Sequence, residues 1–413
     1  MFWLVRCGQS WQWGCRVTLR RRCVALAALG VILAACSRTL PYQPDRHLPL
    51  AEAVRESEIR QRVILVGDAG DLEGGRDLLA MLGHFVHNQV PERTVVVYLG
   101  DNLYDSVDAI ASNARASSAL DAQLDAAAGA QAVLFVPGNH DWDAAACRAR
   151  FSDGIAKLTN EAQYLEGSVR GAGRVRFVPP PGCPGPEVVD LDGLRLIALD
   201  SEWWLQSSGE RTKWARANGC TNAEEGQVLR ELQAALACEG PVECPPRLIV
   251  AHHPLSTTGE HGGWFSWHEH LLCAEYVPLP VFCSLYVMAR KLGIARQDLG
   301  STSYQHFVDS IFRAMAADPP LLYAAGHDHN LQVLEGSAAR FVLVSGAGSK
   351  LSAVGHDDRT LFAQRAPGFM SIDARYDGQV ELRVFSLGSR PVREPVYSAT
   401  LQPTRDNSRP VPR

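Results

Sequence analysis

Apolar residues in this chain follow two rhythms. Five short runs, RVILV (62–66), VVVYL (95–99), AVLFV (132–136), RLIV (247–250) and LLYAA (321–325), are β-branched or aliphatic throughout, with no polar alternation. That pattern predicts strands covered on both faces. LRLIALD (194–200) and FVLVSGAG (341–348) add two more strands, and residues 369–386 read as a hairpin with Asp377 and Gly378 in its turn. The second rhythm has the helical period: residues 76–90 place Leu78, Leu79, Leu82, Phe85 and Val86 on one side, and residues 224–238 do the same with Val228, Leu229, Leu232 and Leu236. Strand, helix and strand recur along the chain, which is the order of an α/β protein.

Each of the five runs leads directly into a polar cluster: GDAG (67–70), GDNLY (100–104), GNHD (138–141), AHHP (251–254) and GHDH (326–329). Ligands of open α/β sheets gather outside the carboxyl ends of the strands, so motifs in these places are expected to converge on one crevice. Their Asp, Asn, Tyr and His side chains are the hard-oxygen and imidazole donors that hold two metal ions side by side.

Composition narrows the class. With 413 residues and 46% hydrophobic content, the chain has enough apolar material for a large core. Its formal net charge of −5, with the first 36 residues carrying arginines and no acid, gives no reason to expect a nucleic-acid partner. Arg20, Arg21 and Arg22 precede the apolar stretch Val24–Ala35, too short to cross a bilayer as a helix but suited to a signal h-region. It ends in LAAC (33–36), which resembles the bacterial lipobox, in which the Cys becomes the lipid-modified first residue. The alternative is an ordinary cleavage site or a weak membrane anchor. Export to the periplasm or outer membrane, with a lipid anchor at Cys36, is the expectation. Seven Cys follow Cys36, namely Cys147, Cys183, Cys220, Cys238, Cys244, Cys273 and Cys283. In an oxidising compartment they suggest up to three disulfides, with Cys238–Cys244 and Cys273–Cys283 closing short loops.

Residues 37–60 read as a Pro-containing spacer leading to a polar helix, residues 61–395 as the folded body, and residues 396–413 as a disordered tail. One segment does not fit the scaffold: residues 263–305 are aromatic and Cys-containing, and too long for a simple connection. They read either as an extra helical layer with a buried apolar face or as a substrate lid or membrane-touching patch.

The set GDAG, GDNLY, GNHD, AHHP and GHDHN, with GEHG (259–262) and SGAG (345–348), resembles the calcineurin-type metallophosphoesterases. Within them it is similar to the purple acid phosphatases of the small tartrate-resistant type. The resemblance implies a four-layer α-β-β-α sandwich of two mixed sheets flanked by helices. Most calcineurin-type enzymes carry a His ligand two residues after the first Asp. Here that position is Gly70, and Tyr104 stands where the purple phosphatases place a phenolate. A hard anionic donor of this kind favours a trivalent ion.

Carried over by motif, Asp68, Asp101, Tyr104 and His329 would hold one metal, and Asp101, Asn139, His252 and His327 the other, with Asp101 bridging. The resemblance implies Fe3+ paired with Fe2+, Zn2+ or Mn2+. It also implies hydrolysis of phosphate monoesters, on small molecules or phosphopeptides, by attack of metal-bound hydroxide with an acid optimum. His140 and His261 match the family's outer histidines for phosphate binding and proton donation, with Asp141 orienting His140, whereas His253 is expected to pack or hydrogen-bond. A phosphodiesterase or nucleotidase with two divalent metals stands as the alternative. A non-catalytic cell-surface binding protein on the same fold is the alternative from another class.

Overall fold

In the computed structural model the unbroken apolar runs all become strands, because each is pressed between a second sheet and a layer of helices. Residues 41–44, 48, 55–105, 109–143, 151–171, 173–238, 244–273, 277–278, 280–388 and 394–401 are described, all within the unit Pro41–Arg413. The expected signal segment and Cys36 lie outside them.

One seven-stranded sheet holds β1 (Ile59–Val66), β2 (Thr94–Tyr98), β3 (Ala132–Phe135) and β4 (Val175–Phe177) in parallel. The other holds β5 (Glu187–Leu191), β6 (Leu194–Ala198), β7 (Arg247–Val250), β10 (Leu322–Ala325), β11 (Leu331–Glu335), β12 (Phe341–Ser345) and β13 (Thr360–Gln364), in the order β13-β11-β12-β10-β7-β6-β5. In it β6, β7, β10 and β12 are parallel, and β5, β11 and β13 are antiparallel to their neighbours. The first sheet is completed by antiparallel β14 (Gly368–Arg375), β15 (Val380–Ser386) and β16 (Tyr397–Leu401), with β14 paired to β1. A separate pair, β8 (Leu272–Cys273) and β9 (Val277–Pro278), belongs to the insertion.

Alternate residues of each strand serve different layers. Val63, Leu65, Val95 and Val97 share a buried cluster with Leu248, Val250, Leu322 and Leu343, which closes the two sheets face to face. Ile64, Val66, Val96 and Tyr98 join Leu78, Leu82, Phe85 and Leu120 of the helices Leu72–His87 and Ala114–Ala126. On the second sheet, Ile249 and Tyr323 join Val228 and Leu232 of Glu225–Leu236 and Phe307 of Thr302–Met315. Both sets of alternate positions are therefore apolar, and the strands read as continuous runs.

The Leu72–His87 helix starts one turn earlier than its apolar rhythm, because Asp71 caps it by accepting from the Glu73 N–H at 3.2 Å. The hairpin forms between β14 and β15, with Gly378 at φ 85° in the turn.

The two mixed sheets with helices outside them are the four-layer sandwich that the resemblance implies, and three other expectations need correction. The body does not stop at residue 395: Tyr397–Leu401 pairs with β15, and only residues 402–413 of the expected tail fall outside the described residues. Among the described residues of the spacer there is a 3-10 turn, Glu56–Glu58, and a bridge from Tyr42 to Ala363, so part of it is fixed to the second sheet. Finally, the helix Pro280–Lys291 of the insertion buries Cys283 and Val287 but exposes Val281, Phe282, Leu285, Tyr286 and Met288, which overturns the buried-layer reading for this helix.

Disulfides join Cys238 to Cys244, as the short loop suggests, and Cys183 to Cys220 across 37 residues, a pair no local pattern marks. Cys283 is disulfide-bonded as well, while the side chain of Cys273 lies outside the described residues.

Candidate metal centre

Three residues that end the strands adopt a backbone that L-residues avoid. Asp68 has φ 60°, Asp101 φ 54° and His327 φ 70°. Left-handed backbone at non-glycine positions costs about 1–3 kcal/mol each and persists where surrounding structure overrides it. Here the overriding contacts are mutual. The His327 N–H donates to Asp68 Oδ2 at 2.8 Å, the His140 N–H to Asp101 Oδ1 at 2.8 Å, and the Asp68 N–H to the Gly100 carbonyl at 2.9 Å. Gly138 permits the approach, since a Cβ there would stand 2.4 Å from Asp101 Oδ1.

The imidazoles are oriented by spending one nitrogen on a carbonyl. His252 Nδ1 donates to Leu99 O at 2.8 Å, tying the second sheet to the first and leaving Nε2 2.9 Å from Asn139 Oδ1 and 3.4 Å from Asp101 Oδ1. His327 Nε2 donates to Gln297 O at 2.9 Å, leaving Nδ1 3.1 Å from Asn139 Oδ1 and 3.3 Å from His252 Nε2. With those hydrogens spent elsewhere, three lone pairs face one another. Nearby, His329 Nε2 lies 3.4 Å from Asp68 Oδ1. Asp68 Oδ1 and the Tyr104 hydroxyl are both buried without a hydrogen-bond partner among the described residues.

Buried acceptors with nothing to accept from cost about 1–3 kcal/mol each, and cations placed among them would remove that cost. The donors Asp68, Asp101 and His252 lie within 4.8 Å of one another, as do those of His252, His253 and His327. His253 is nevertheless engaged at both nitrogens, with Ser201 Oγ at 2.8 Å and Gln297 Oε1 at 2.7 Å, so it packs and hydrogen-bonds as expected. Oxygen and imidazole donors without a thiolate suit hard and borderline ions, and the cluster fits a dinuclear metal site.

The electrostatics point the same way. Burial holds the Asp68 carboxyl well above the usual carboxylate range. Burial also works against ionised Asp101, but His252 and His140 outweigh it and bring that pKa to about 2. Burial, then the Asp68 and Asp101 charges, push the Tyr104 phenol well up, so a phenolate here needs a neighbouring cation. Burial drives His327 well below the ordinary imidazole value and His329 down to about 4, which keeps both neutral and able to ligate.

Gly70 and Tyr104 belong to one steric arrangement. A Cβ at Gly70 would lie 2.6 Å from the Asn102 carbonyl carbon and 2.7 Å from both Asp101 O and Leu103 N. The Gly70 N–H donates to Asp101 O at 2.9 Å, so the first loop lies directly on the backbone that carries Tyr104. A His at position 70 would displace that backbone. The exchange seen in the sequence therefore has a packing cause as well as a chemical one.

The outer residues divide. His140 stays near the cluster, with Nε2 3.9 Å from Asp101 Oδ2 and its ring edge-on to Tyr104 at 4.6 Å. The His261 ring lies tilted by 31° against His327, with centroids 3.8 Å apart, and its Nδ1 lies 2.9 Å from Asp298 Oδ1. Burial opposes charge on His261, but the Asp298 hydrogen bond and the Asp328 charge raise its pKa.

Asp141 does not orient the His140 ring, contrary to expectation. Its carboxylate turns inward and accepts from the N–H groups of Gly138 at 2.8 Å, Leu103 at 2.9 Å and Asn102 at 3.3 Å. It fixes the loops that carry Asn139 and Asp101. Lys157 assists by donating to Leu103 O and His140 O at 2.9 and 2.7 Å.

Sequence reasoning missed Asp298, Gln297 and Arg290, all in the insertion. Arg290 donates to Asp298 at 2.7 Å and so holds the carboxylate that holds His261. It also missed Lys350, half-buried, with Nζ 3.3 Å from the Tyr104 ring centroid. The strand–SGAG–Lys order was a usable signal for Lys350, while nothing local marks Asp298.

A family profile described as calcineurin-like phosphoesterase matches residues 61–283. No curated protein matches the chain in sequence. Among solved structures, GAP50, described as the anchor in the inner membrane complex of Plasmodium, is 16% identical with a TM-score of 0.49, over 83% of this chain and 89% of that one. Purple acid phosphatase PPD1 from yellow lupin (Lupinus luteus) seeds is 14% identical with a TM-score of 0.49, over 85% and 55%. PhoD is 9% identical with a TM-score of 0.49, over 81% and 66%.

Proposed function

The chain belongs to the calcineurin-like phosphoesterase family, and on that footing we propose that it is a phosphomonoesterase of the purple acid phosphatase kind, of the small tartrate-resistant type. Asp68, Asp101, Tyr104 and His329 would hold Fe3+, and Asp101, Asn139, His252 and His327 would hold Fe2+, Zn2+ or Mn2+. When bound, such a pair supplies Lewis-acid polarisation of phosphoryl oxygens and an acidified water. The observation that carries the reading is Tyr104, a buried phenol without a hydrogen-bond partner among the described residues, on a loop that leaves no room for a side chain at position 70.

The remaining work falls to the chain's own side chains. Lys350 adds positive charge, and His140, which burial pushes towards the neutral imidazole, adds a hydrogen-bond donor for the phosphoryl oxygens at the edge of the cluster. His261, fixed at Nδ1 by Asp298, keeps Nε2 for the proton that the leaving alkoxide requires. Asp141 acts as a positioning residue behind Asn139.

The test compares aryl phosphate with bis-aryl phosphate on protein whose metal content is known. Faster monoester hydrolysis supports the proposal. Faster diester hydrolysis would move the assignment to a phosphodiesterase or nucleotidase, and no turnover of either with two metals bound would favour a non-catalytic surface protein.

The same proposal includes export and lipid attachment at Cys36, supported by the LAAC motif and by disulfides of the kind that form in oxidising compartments. Palmitate labelling that vanishes in Cys36→Ser is expected, and labelling that persists counts against it.

A further inference from the structure

The insertion presents its apolar residues outward. On the helix Pro280–Lys291, Cys283 and Val287 face the protein, while Val281, Phe282, Leu285, Tyr286 and Met288 are 52–69% exposed. Leu292 and Ile294 follow at 72% and 74%, and Trp264, Trp267 and Leu271 border them at 38%, 60% and 42%. Scattered exposed apolar residues are ordinary, but a contiguous set on one insertion marks an interaction surface. The helix is also bolted in place rather than loose: Arg290 donates to Asp298 at 2.7 Å and packs over the Phe265 ring at 5.0 Å.

What covers this surface is indicated by the other end of the chain. Tyr42 stacks on His356 at 3.8 Å, and the adjacent Gly355 lies under the Trp264 indole so closely that a Cβ there would be 2.1 Å from Trp264 Nε1. The Gly355 N–H donates to Thr258 O at 2.9 Å, and Val354 bridges Gly259, so this strip is continuous with the start of the insertion. Tyr42 is six residues from Cys36, a step that spans at most about 22 Å when fully extended. A lipid on Cys36 would hold this part of the protein at the headgroups.

We propose that the apolar face of the insertion, centred on Phe282, Leu285 and Tyr286 and bordered by Trp264 and Trp267, seats on the surface of a lipid bilayer. The inference rests on lipid attachment at Cys36 and is independent of which phosphate ester is hydrolysed. Its make-up suits an interface: aromatic side chains for the headgroup level, aliphatic ones for the acyl boundary, and Lys291 at the helix end for anionic headgroups. Because Gln297 and Asp298 of the same insertion touch His327, His253 and His261, a seated insertion would bring the metal cluster beside the membrane.

The test uses the lipidated mature chain in phosphatidylcholine–phosphatidylglycerol vesicles, with photoreactive benzoylphenylalanine replacing Phe282, Leu285 or, as the reference, Tyr376. Tyr376 is 62% exposed and sits at the far end of β1, where its N–H donates to Glu58 O. Lipid adducts at 282 and 285 about ten-fold above those at 376 are expected. Equal labelling at all three positions would overturn the proposal, as would adducts of doubled protein mass. If the photoreactive residue blocks folding, the unsubstituted protein gives the answer through tryptophan quenching by lipids brominated in their acyl chains. Quenching that Trp264→Phe with Trp267→Phe removes upholds it, and no quenching overturns it.

Discussion

In the strand-end cradle, the metal-ligand candidates follow buried strands within a few residues, and Asp68, Asp101 and His327 are tied to one another's loops by backbone N–H groups. In the insertion, by contrast, the groups that reach the same place are carried by helices and turns whose exposed sides are apolar. Asp68, Asp101 and His327 accept left-handed backbone because two packed sheets leave them no other course. Asp298 is held instead by one arginine, Arg290, and in turn holds one ring, His261. On the proposed function, the cradle would decide whether metal binds, and the Asp298–His261 pair how the bound centre is used.

Breaking the cradle should have the largest effect. Asp101→Ala removes the shared carboxylate, and both metals and turnover should be lost, the latter by about three orders of magnitude or more, as measured by metal analysis and aryl phosphate hydrolysis. Full activity in this variant would refute the site.

Changes on the insertion side should leave metal content intact. His261→Ala is expected to lower kcat about 10²-fold, and Asp298→Asn, which removes only the orienting charge, about 10-fold. Equal loss of metal and activity in either variant would erase the distinction between the two regions.

Asp141→Ala sharpens the comparison from inside the cradle. It strands the buried N–H groups of Gly138, Leu103 and Asn102, and should destabilise the fold by about 3 kcal/mol in denaturant titration. A selective fall in turnover with unchanged stability would return Asp141 to the role of orienting His140. Last and smallest, Phe282→Glu with Leu285→Glu should leave hydrolysis of a soluble aryl phosphate unchanged, since neither side chain touches the cluster.

The same division explains what could be read in the chain. Strands were legible because Val63 and Ile64, neighbours in sequence, face the opposite sheet and a helix respectively, so both must be apolar. Ligand candidates were legible because they follow those strands directly. The division into two sheets was legible through the family resemblance and not through the strands themselves, because β7 and β10 have the same local pattern as β1 and β2, and the partition is set by pairing across hundreds of residues. Cys183 and Cys220 gave no sign of their partnership for the same reason. The inward turn of Asp141 depends on backbone N–H groups from two loops meeting beneath it. Asp298 and Arg290 owe their positions to an insertion with no motif, and the outward apolar face of Pro280–Lys291 has the same residues that a buried helix would have.

The central claim is that Tyr104 replaces an imidazole and selects ferric iron. It is tested most directly by the visible absorption spectrum of the purified mature protein before and after mild reduction, with metal content measured on the same sample. The account predicts a broad purple or pink band, lost in Tyr104→Phe with the fold retained, and about one iron with about one second metal per chain. A colourless protein holding two divalent metals would contradict it.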